Sequence, residues 1–200
     1  DDVSMAEDAG LKITAVAGEQ RLMKLTQNSD LALLTALALS TREKTEDHQS
    51  MTDTDFRVGN GFDVHKFAET PGPIMLAGIS VPSARGMLAH SDGDVGLHAL
   101  CDAIFGALGD GDIGYHFPPS EARWKDADSA AFLKFAVDRC TQHNAEVRNL
   151  DLTIICETPK ITPHRDAMRA RIAEIAGLSV DRIGVKATTS EGLGFTGRGE

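Results

Sequence analysis

Apolar residues recur along this chain with two different periods, and the switch between them divides it into strands and helices. Residues 150–156 place Leu150, Leu152, Ile154 and Cys156 at every second position, the period of a half-buried strand. Residues 94–108 instead carry Val95, Leu97, Leu100, Ile104 and Leu108 on a helical period, with Asp94 or Asp92 able to cap the first turn. Residues 129–142 repeat that pattern behind Asp128 or Ser129 as cap. Thr162 offers a further N-cap, with Pro163 at the first helical position, opening a helix that Gly177 closes. Residues 57–65 read as a strand, 74–81 as an extended segment interrupted at Gly78, and 182–188 as a last strand. Strands interleaved with helices predict an α+β domain, a single mixed sheet with helices packed on one face.

The first quarter of the chain reads differently. Residues 11–16 suit a strand ending at Gly18, and Ser29 or Asp30 caps a short helix through Leu39. Residues 41–55 are almost wholly polar and read as a linker, because they cannot bury enough surface to order themselves. The chain opens on Asp1-Asp2-Val3 without Met, and stops at Gly199-Glu200 directly after a Gly-rich stretch. A longer parent chain, with a further closing strand, is expected.

Composition narrows the functions available. A 42% hydrophobic and 25% charged share is that of an ordinary globular protein, and no apolar run approaches the roughly 20 residues of a membrane span. A formal charge of −10 argues against a nucleic-acid binder, which needs surplus Lys and Arg on one face. An anionic ligand is then expected to be held by a local device such as a metal ion, a helix N-terminus or a few placed cations. Three separated cysteines, Cys101, Cys140 and Cys156, read as reduced, buried small hydrophobes of a cytoplasmic protein.

Three stretches carry chemistry. In residues 57–65, Asp63 and His65 stand two apart, so both side chains leave one face of an extended backbone and can share an ion. Residues 90–98 are dense in polar groups where a helix begins, and His98 lies four residues before Asp102 on the same helical face. A carboxylate and imidazoles suit Zn²⁺, and a three-residue set leaves one position open, as catalytic zinc sites do. Residues 186–199 combine hydroxyls, glycines and Arg198, the groups a diphosphate asks for, while Glu191 adds a hard oxygen suited to Mg²⁺.

The motifs GFDVH, HSDGDV-x-x-HA-x-x-DA, GDIG-x-x-FP, PK-x-x-PH and KATT-x-E-x-LGFTGRGE follow one another over residues 57–200. In that order they resemble the 2-C-methyl-D-erythritol 2,4-cyclodiphosphate synthase family. Residues 1–40, with DD-x-S-x-AE-x-AG, Gly18, Lys24-Leu25-Thr26 and a DLALL run, resemble the C-terminal tail of 2-C-methyl-D-erythritol 4-phosphate cytidylyltransferase. The resemblance implies a bifunctional parent, divided here into a tail fragment (1–40), a linker (41–55) and a cyclase domain (56–200) lacking its final strand. Lys24 matches a phosphate-contacting Lys of the transferase but lacks its partners.

The same resemblance implies roles for individual residues. Zn²⁺, or another divalent transition metal, would sit on Asp63, His65 and His98, and Mg²⁺ or Mn²⁺ would join Glu191 and the substrate diphosphate. Catalytic roles fall to His90 and Thr189. Substrate contacts fall to Ser91, Asp112, Gly114, Cys156, Pro159, Lys160, Thr188, Thr189, Phe195 and Arg198. Pro119 stands where the family commonly has an acidic residue. The implied assembly is a homotrimer with active sites between subunits, acting on a CDP-linked substrate, with no nucleic-acid or membrane partner. Two other readings stay open: a structural metal module, disfavoured because no Cys lies near the metal motifs to close the site, and an idle cytidine-nucleotide-binding scaffold.

Overall fold

The computed structural model describes residues 55–200. The strand expected at 11–16, the helix ending at Leu39, Lys24 and all but the last residue of the linker lie outside the described residues.

Ile74–Leu76 (β1) and Ile79–Val81 (β2) pair antiparallel, with Ile74 opposite Val81 and Leu76 opposite Ile79. The interruption expected at Gly78 is therefore a hairpin turn. Ala77 and Gly78 both take positive φ, 54° and 79°, as a two-residue turn between right-twisting strands requires. Ala is an unusual occupant of that region, and a buried side chain holds it there. The Asp94 carboxylate accepts the N–H of Ala77 at 2.8 Å and of Gly78 at 2.5 Å. It also accepts the N–H of Leu97 at 2.9 Å, capping the helix Val95–Leu108 (α1).

Helix α1 buries Leu97, Leu100, Cys101, Ile104 and Phe105, and ends at Gly109 in the left-handed conformation. A short helix, Ile113–His116 (α2), follows behind Asp112 as cap. Ser129–Gln142 (α3) starts at Asp128, whose carboxylate accepts the Ala130 N–H at 2.8 Å. It packs Phe132, Leu133 and Ala136 into the core and lies against α1.

Leu150–Ile155 (β3) and Ile183–Thr188 (β4) run parallel, from Leu150 opposite Ile183 to Ile155 opposite Thr188. Between them a 3₁₀ turn, Thr162–His164, leads into Arg165–Ala176 (α4), which Gly177 closes with φ 66°. Leu150, Leu152 and Ile154 are buried while Asp151, Thr153 and Ile155 are exposed, so one face of the pair is covered by helices and the other is open. Gly96 permits the close contact of α1, since a Cβ there would lie 3.1 Å from Leu152 Cδ2 and 3.3 Å from the Ala77 nitrogen. Thr188 O accepts the Cys156 N–H, so Ile183 and Val185 point their carbonyls to the other edge of β4. That edge is taken up by α4, through Arg169 Nε to Ile183 O (2.8 Å) and Arg165 Nε to Val185 O (3.2 Å). The far edge of β3 meets no strand among the described residues.

Three expectations need correction. The single sheet is instead two separate two-stranded ladders in a mixed α/β architecture. Residues 57–65 join neither ladder, because their backbone rests on a helix. An added Cβ on Gly59 would come within 1.7 Å of Ala103 O, and one on Gly61 within 1.9 Å of Ala99 O. The strand-like alternation survives there all the same: Gly59, Gly61, Asp63, His65 and Phe67 are half-buried, while Asn60, Phe62, Val64 and Lys66 are exposed. Thr162 is not a cap. Buried Ile161 already has helical φ and ψ, which puts the Thr162 hydroxyl inside the turn instead of ahead of it. No described helix is long and apolar enough to cross a membrane.

Candidate active site

The face shared by Asp63 and His65 looks toward the first turn of α1, which carries His98. Asp63 Oδ2 lies 3.1 Å from His65 Nε2 and 3.1 Å from His98 Nδ1. One ligand atom from each residue falls within 4.8 Å of the others. The second nitrogen of His65, Nδ1, is 3.1 Å from the carbonyl of Gly93. A carbonyl only accepts, so Nδ1 donates to it; Nε2 donates to Asp63 while the imidazole is charged and offers a lone pair to a metal once it is neutral. Partial burial disfavours the Asp63 carboxylate, but hydrogen bonds from His65 and His98 outweigh that and hold its carboxyl well below the usual range. The hydrogen bond to Asp63 in turn raises His65 above an ordinary imidazole. Two imidazole nitrogens and a carboxylate oxygen crowded together attract a cation, and one O and two N donors suit a divalent transition metal. Burial pushes the Cys101 thiol up and leaves it no part in this group.

Two loops lie at the same end of the β3–β4 ladder. After β3, Cys156 and Pro159 are half-buried and Lys160 exposed, with the Cys156 thiol 3.5 Å from the Pro159 carbonyl and the Thr158–Pro159 peptide cis. After β4, the Thr189 hydroxyl donates to Glu191 at 3.0 Å, and the Thr188 hydroxyl to the Thr189 carbonyl at 3.1 Å. Glu191 and Gly192 both have positive φ, 54° and 75°.

The YgbB family profile matches residues 56–200. The chain belongs to the YgbB family. Along all 200 residues it is 52% identical to the bifunctional enzyme IspD/IspF of Bradyrhizobium diazoefficiens and 53% to that of Rhodopseudomonas palustris, covering 47% of each. The chain thus spans about half the length of the curated relatives it matches. Among solved structures, the bifunctional IspDF from Campylobacter jejuni aligns over the whole chain and 50% of its own length, with 39% identity and a TM-score of 0.69. A 2C-methyl-D-erythritol-2,4-cyclodiphosphate synthase in a CDP-bound form aligns over 68% of this chain and 91% of its own, with 41% identity and a TM-score of 0.65.

Within this YgbB-family chain the site residues named from sequence fall into separate places. Asp63, His65 and His98 come together, while Glu191 stands outside that group. A hollow of about 800 Å³ is lined by Asp63, His65, Cys156, Pro159 and Phe195, and runs beside β3 from Asp151 to Ile155. His90 is exposed, and its carbonyl accepts the Asp126 N–H at 2.8 Å. Ser91 Oγ lies 3.3 Å from His98 Nε2. Asp112 caps α2 through the Tyr115 N–H at 2.7 Å, beside exposed Gly114. Arg198 pairs with Glu200 at 2.6 Å.

Sequence reasoning passed over Glu157. It lies between two residues singled out for substrate contact, yet its carboxylate faces the other loop, accepting the N–H groups of Ser190 and Gly192. The signal available in the sequence was a lone acid directly before a Thr-Pro pair.

Proposed function

We propose that this chain is the cyclase portion of a cytoplasmic bifunctional enzyme of the non-mevalonate isoprenoid route. It is a phosphorus–oxygen lyase that converts 4-CDP-2-C-methyl-D-erythritol 2-phosphate to 2-C-methyl-D-erythritol 2,4-cyclodiphosphate and CMP; the parent protein also carries cytidylyltransferase activity. The observation that carries the reading is the convergence of Asp63, His65 and His98, the first two lining a hollow also lined by Cys156 and Pro159, in a chain of the YgbB family.

In the reaction an oxygen of the 2-phosphate bonds to the β-phosphorus, and the bond from that phosphorus to the bridging oxygen breaks, so CMP leaves with the electron pair. The attacking oxygen is already anionic near neutral pH and needs no general base. The obstacles are repulsion between anions and the entropy of ring closure. Asp63, His65 and His98 would hold Zn²⁺ or another divalent transition metal, and the Glu191 carboxylate Mg²⁺ or Mn²⁺ together with the diphosphate; bound cations supply positive charge to the phosphate oxygens. Thr188 and Thr189 hold the diphosphate in line, with Phe195 and Arg198 from the same loop. His90 and Ser91 contact the 2-phosphate end, Asp112 and Gly114 the methylerythritol hydroxyls, and Cys156, Pro159 and Lys160 the cytidine.

Homotrimer assembly with active sites between subunits completes the proposal. Its support is an apolar surface unsuited to water: Phe56, Val58 and Phe62 are 74%, 80% and 73% exposed, on the side of their segment away from α1. The unpaired edge of β3 likewise suits a further strand of the 56–200 domain, with residues 1–40 belonging to the transferase and 41–55 linking the two. Incubating the metal-loaded full-length protein with the CDP-linked substrate and following phosphorus NMR tests the activity. CMP and a cyclic diphosphate should appear together, and substrate left intact would refute the proposal.

A further inference from the structure

His98 stands at the end of a hydrogen-bond chain whose direction is set by what each group can donate. Its Nε2, the nitrogen turned away from Asp63, lies 2.8 Å from Ser129 Oγ. Ser129 is fully buried at the start of α3, and its hydroxyl reaches Asp92 Oδ1 at 2.5 Å while its N–H reaches Asp92 Oδ2 at 3.1 Å. An Asp92 carboxylate has no proton to give, so the single hydroxyl proton of Ser129 goes to Asp92. The Ser129 oxygen then faces His98 with lone pairs alone and accepts from Nε2. Ser91 Oγ, 3.3 Å from the same nitrogen and itself accepting the Gly93 N–H at 3.2 Å, is a longer acceptor for the same proton.

We infer that Ser129 and Asp92 are positioning residues for the metal site, acting in series to keep the proton of His98 on Nε2 and its Nδ1 lone pair aimed at the place Asp63 and His65 share. This rests on the reading of Asp63, His65 and His98 as metal ligands. The device mirrors the Gly93 carbonyl behind His65, so both imidazoles are oriented from behind by an acceptor. The two supports differ in one respect. A backbone carbonyl cannot be mutated or reversed, whereas the Ser129 hydroxyl points the right way only while Asp92 holds its proton. The polar run 90–98 thereby gains a use for Asp92, which neither caps α1 nor belongs to the Asp63–His65–His98 group.

The test is a zinc competition titration on the full-length protein and on Ser129→Ala, Asp92→Ala and the double variant. Each single variant should lose zinc affinity by about 10- to 100-fold. Because the residues act through one another, the double variant should fall no further than the weaker-binding single by more than about twofold. In zinc-loaded wild type, NMR of labelled histidine should show a slowly exchanging Nε2 proton on His98, and that proton should exchange faster in both single variants. Single variants within about twofold of wild type would overturn the inference, as would losses that multiply in the double variant or a His98 Nε2 proton indifferent to Asp92→Ala. The proton readout needs no comparison of affinities, so it decides the chain even if one variant is unstable. A wild-type protein that takes up no zinc overturns the metal reading itself.

Discussion

Glu157 accepts the backbone N–H of Gly192 at 3.1 Å, and this joins the loop after β3 to the loop after β4. The same carboxylate oxygen accepts the Ser190 N–H at 3.1 Å and lies 3.2 Å from the Ser190 hydroxyl. Left-handed φ at Glu191 and Gly192 folds these donors inward, the arrangement of an anion-binding nest. An internal carboxylate thus occupies donors of the kind an anion also seeks, and ties the loop after β3 to the loop after β4.

The Gly192 N–H, followed by those of Ser190, holds the Glu157 carboxyl below its usual range. A depressed carboxyl lends order that is complete above its unfolded value and is lost as pH falls through the folded one. Amide protection at Ser190 and Gly192 is therefore expected to hold steady above about pH 5 and to fall away below about pH 4. Glu157→Gln should raise exchange at both amides about tenfold at neutral pH. Hydrogen exchange followed by NMR checks both.

Asp94 serves two elements with one side chain, as cap of α1 and as acceptor for both N–H groups of the Ala77-Gly78 turn. Asp94→Ala leaves these buried donors without partners and should cost about 3–5 kcal/mol in urea unfolding. Asp94→Asn keeps one oxygen acceptor and should lose less than half of that.

The parts of the fold legible in the sequence are those whose signals are local. Helix α3 begins and ends where its period and Asp128 place it, and β3 alternates as read. The division of the strands into two ladders was not legible, since pairing depends on contacts distant in sequence. Residues 57–65 show why: their alternation is that of a strand, but Gly59 and Gly61 lay the backbone on α1. The pairing of Asp63 with His65 was legible because the alternation fixes a face whatever the segment rests on, whereas His98, distant along the chain, was joined to them only through the family resemblance. Glu157 escaped because its partners lie more than thirty residues away.

At the proposed metal site, the close approach of Gly61 to α1 would make metal binding depend on a residue that is not a ligand. A Cβ on Gly61 would meet Ala99 O at 1.9 Å and the Ala103 nitrogen at 2.7 Å, both backbone atoms of α1 that cannot swing aside. Gly61→Ala should lift the segment and carry Asp63 away from His98. Zinc affinity should fall by more than about tenfold, with α1 itself intact by circular dichroism, as expected when one ligand of three is displaced.

Removing the metal should loosen the same region. With zinc at about 100 times its dissociation constant, binding stabilises the folded protein by about 2.7 kcal/mol, a rise in Tm of about 5–10 °C for a domain of this size. A chelator should reverse that rise in wild type. His98→Ala should bring bound zinc to background by elemental analysis, and its Tm should then be the same with and without chelator. This comparison separates loss of the ligand from loss of packing, because His98 also contacts Ser129 and the ring of Phe132, and its truncation lowers Tm by whatever those contacts contribute. A chelator-sensitive Tm in His98→Ala would mean that zinc sits elsewhere, and full zinc content in that variant would remove His98 from the ligand set.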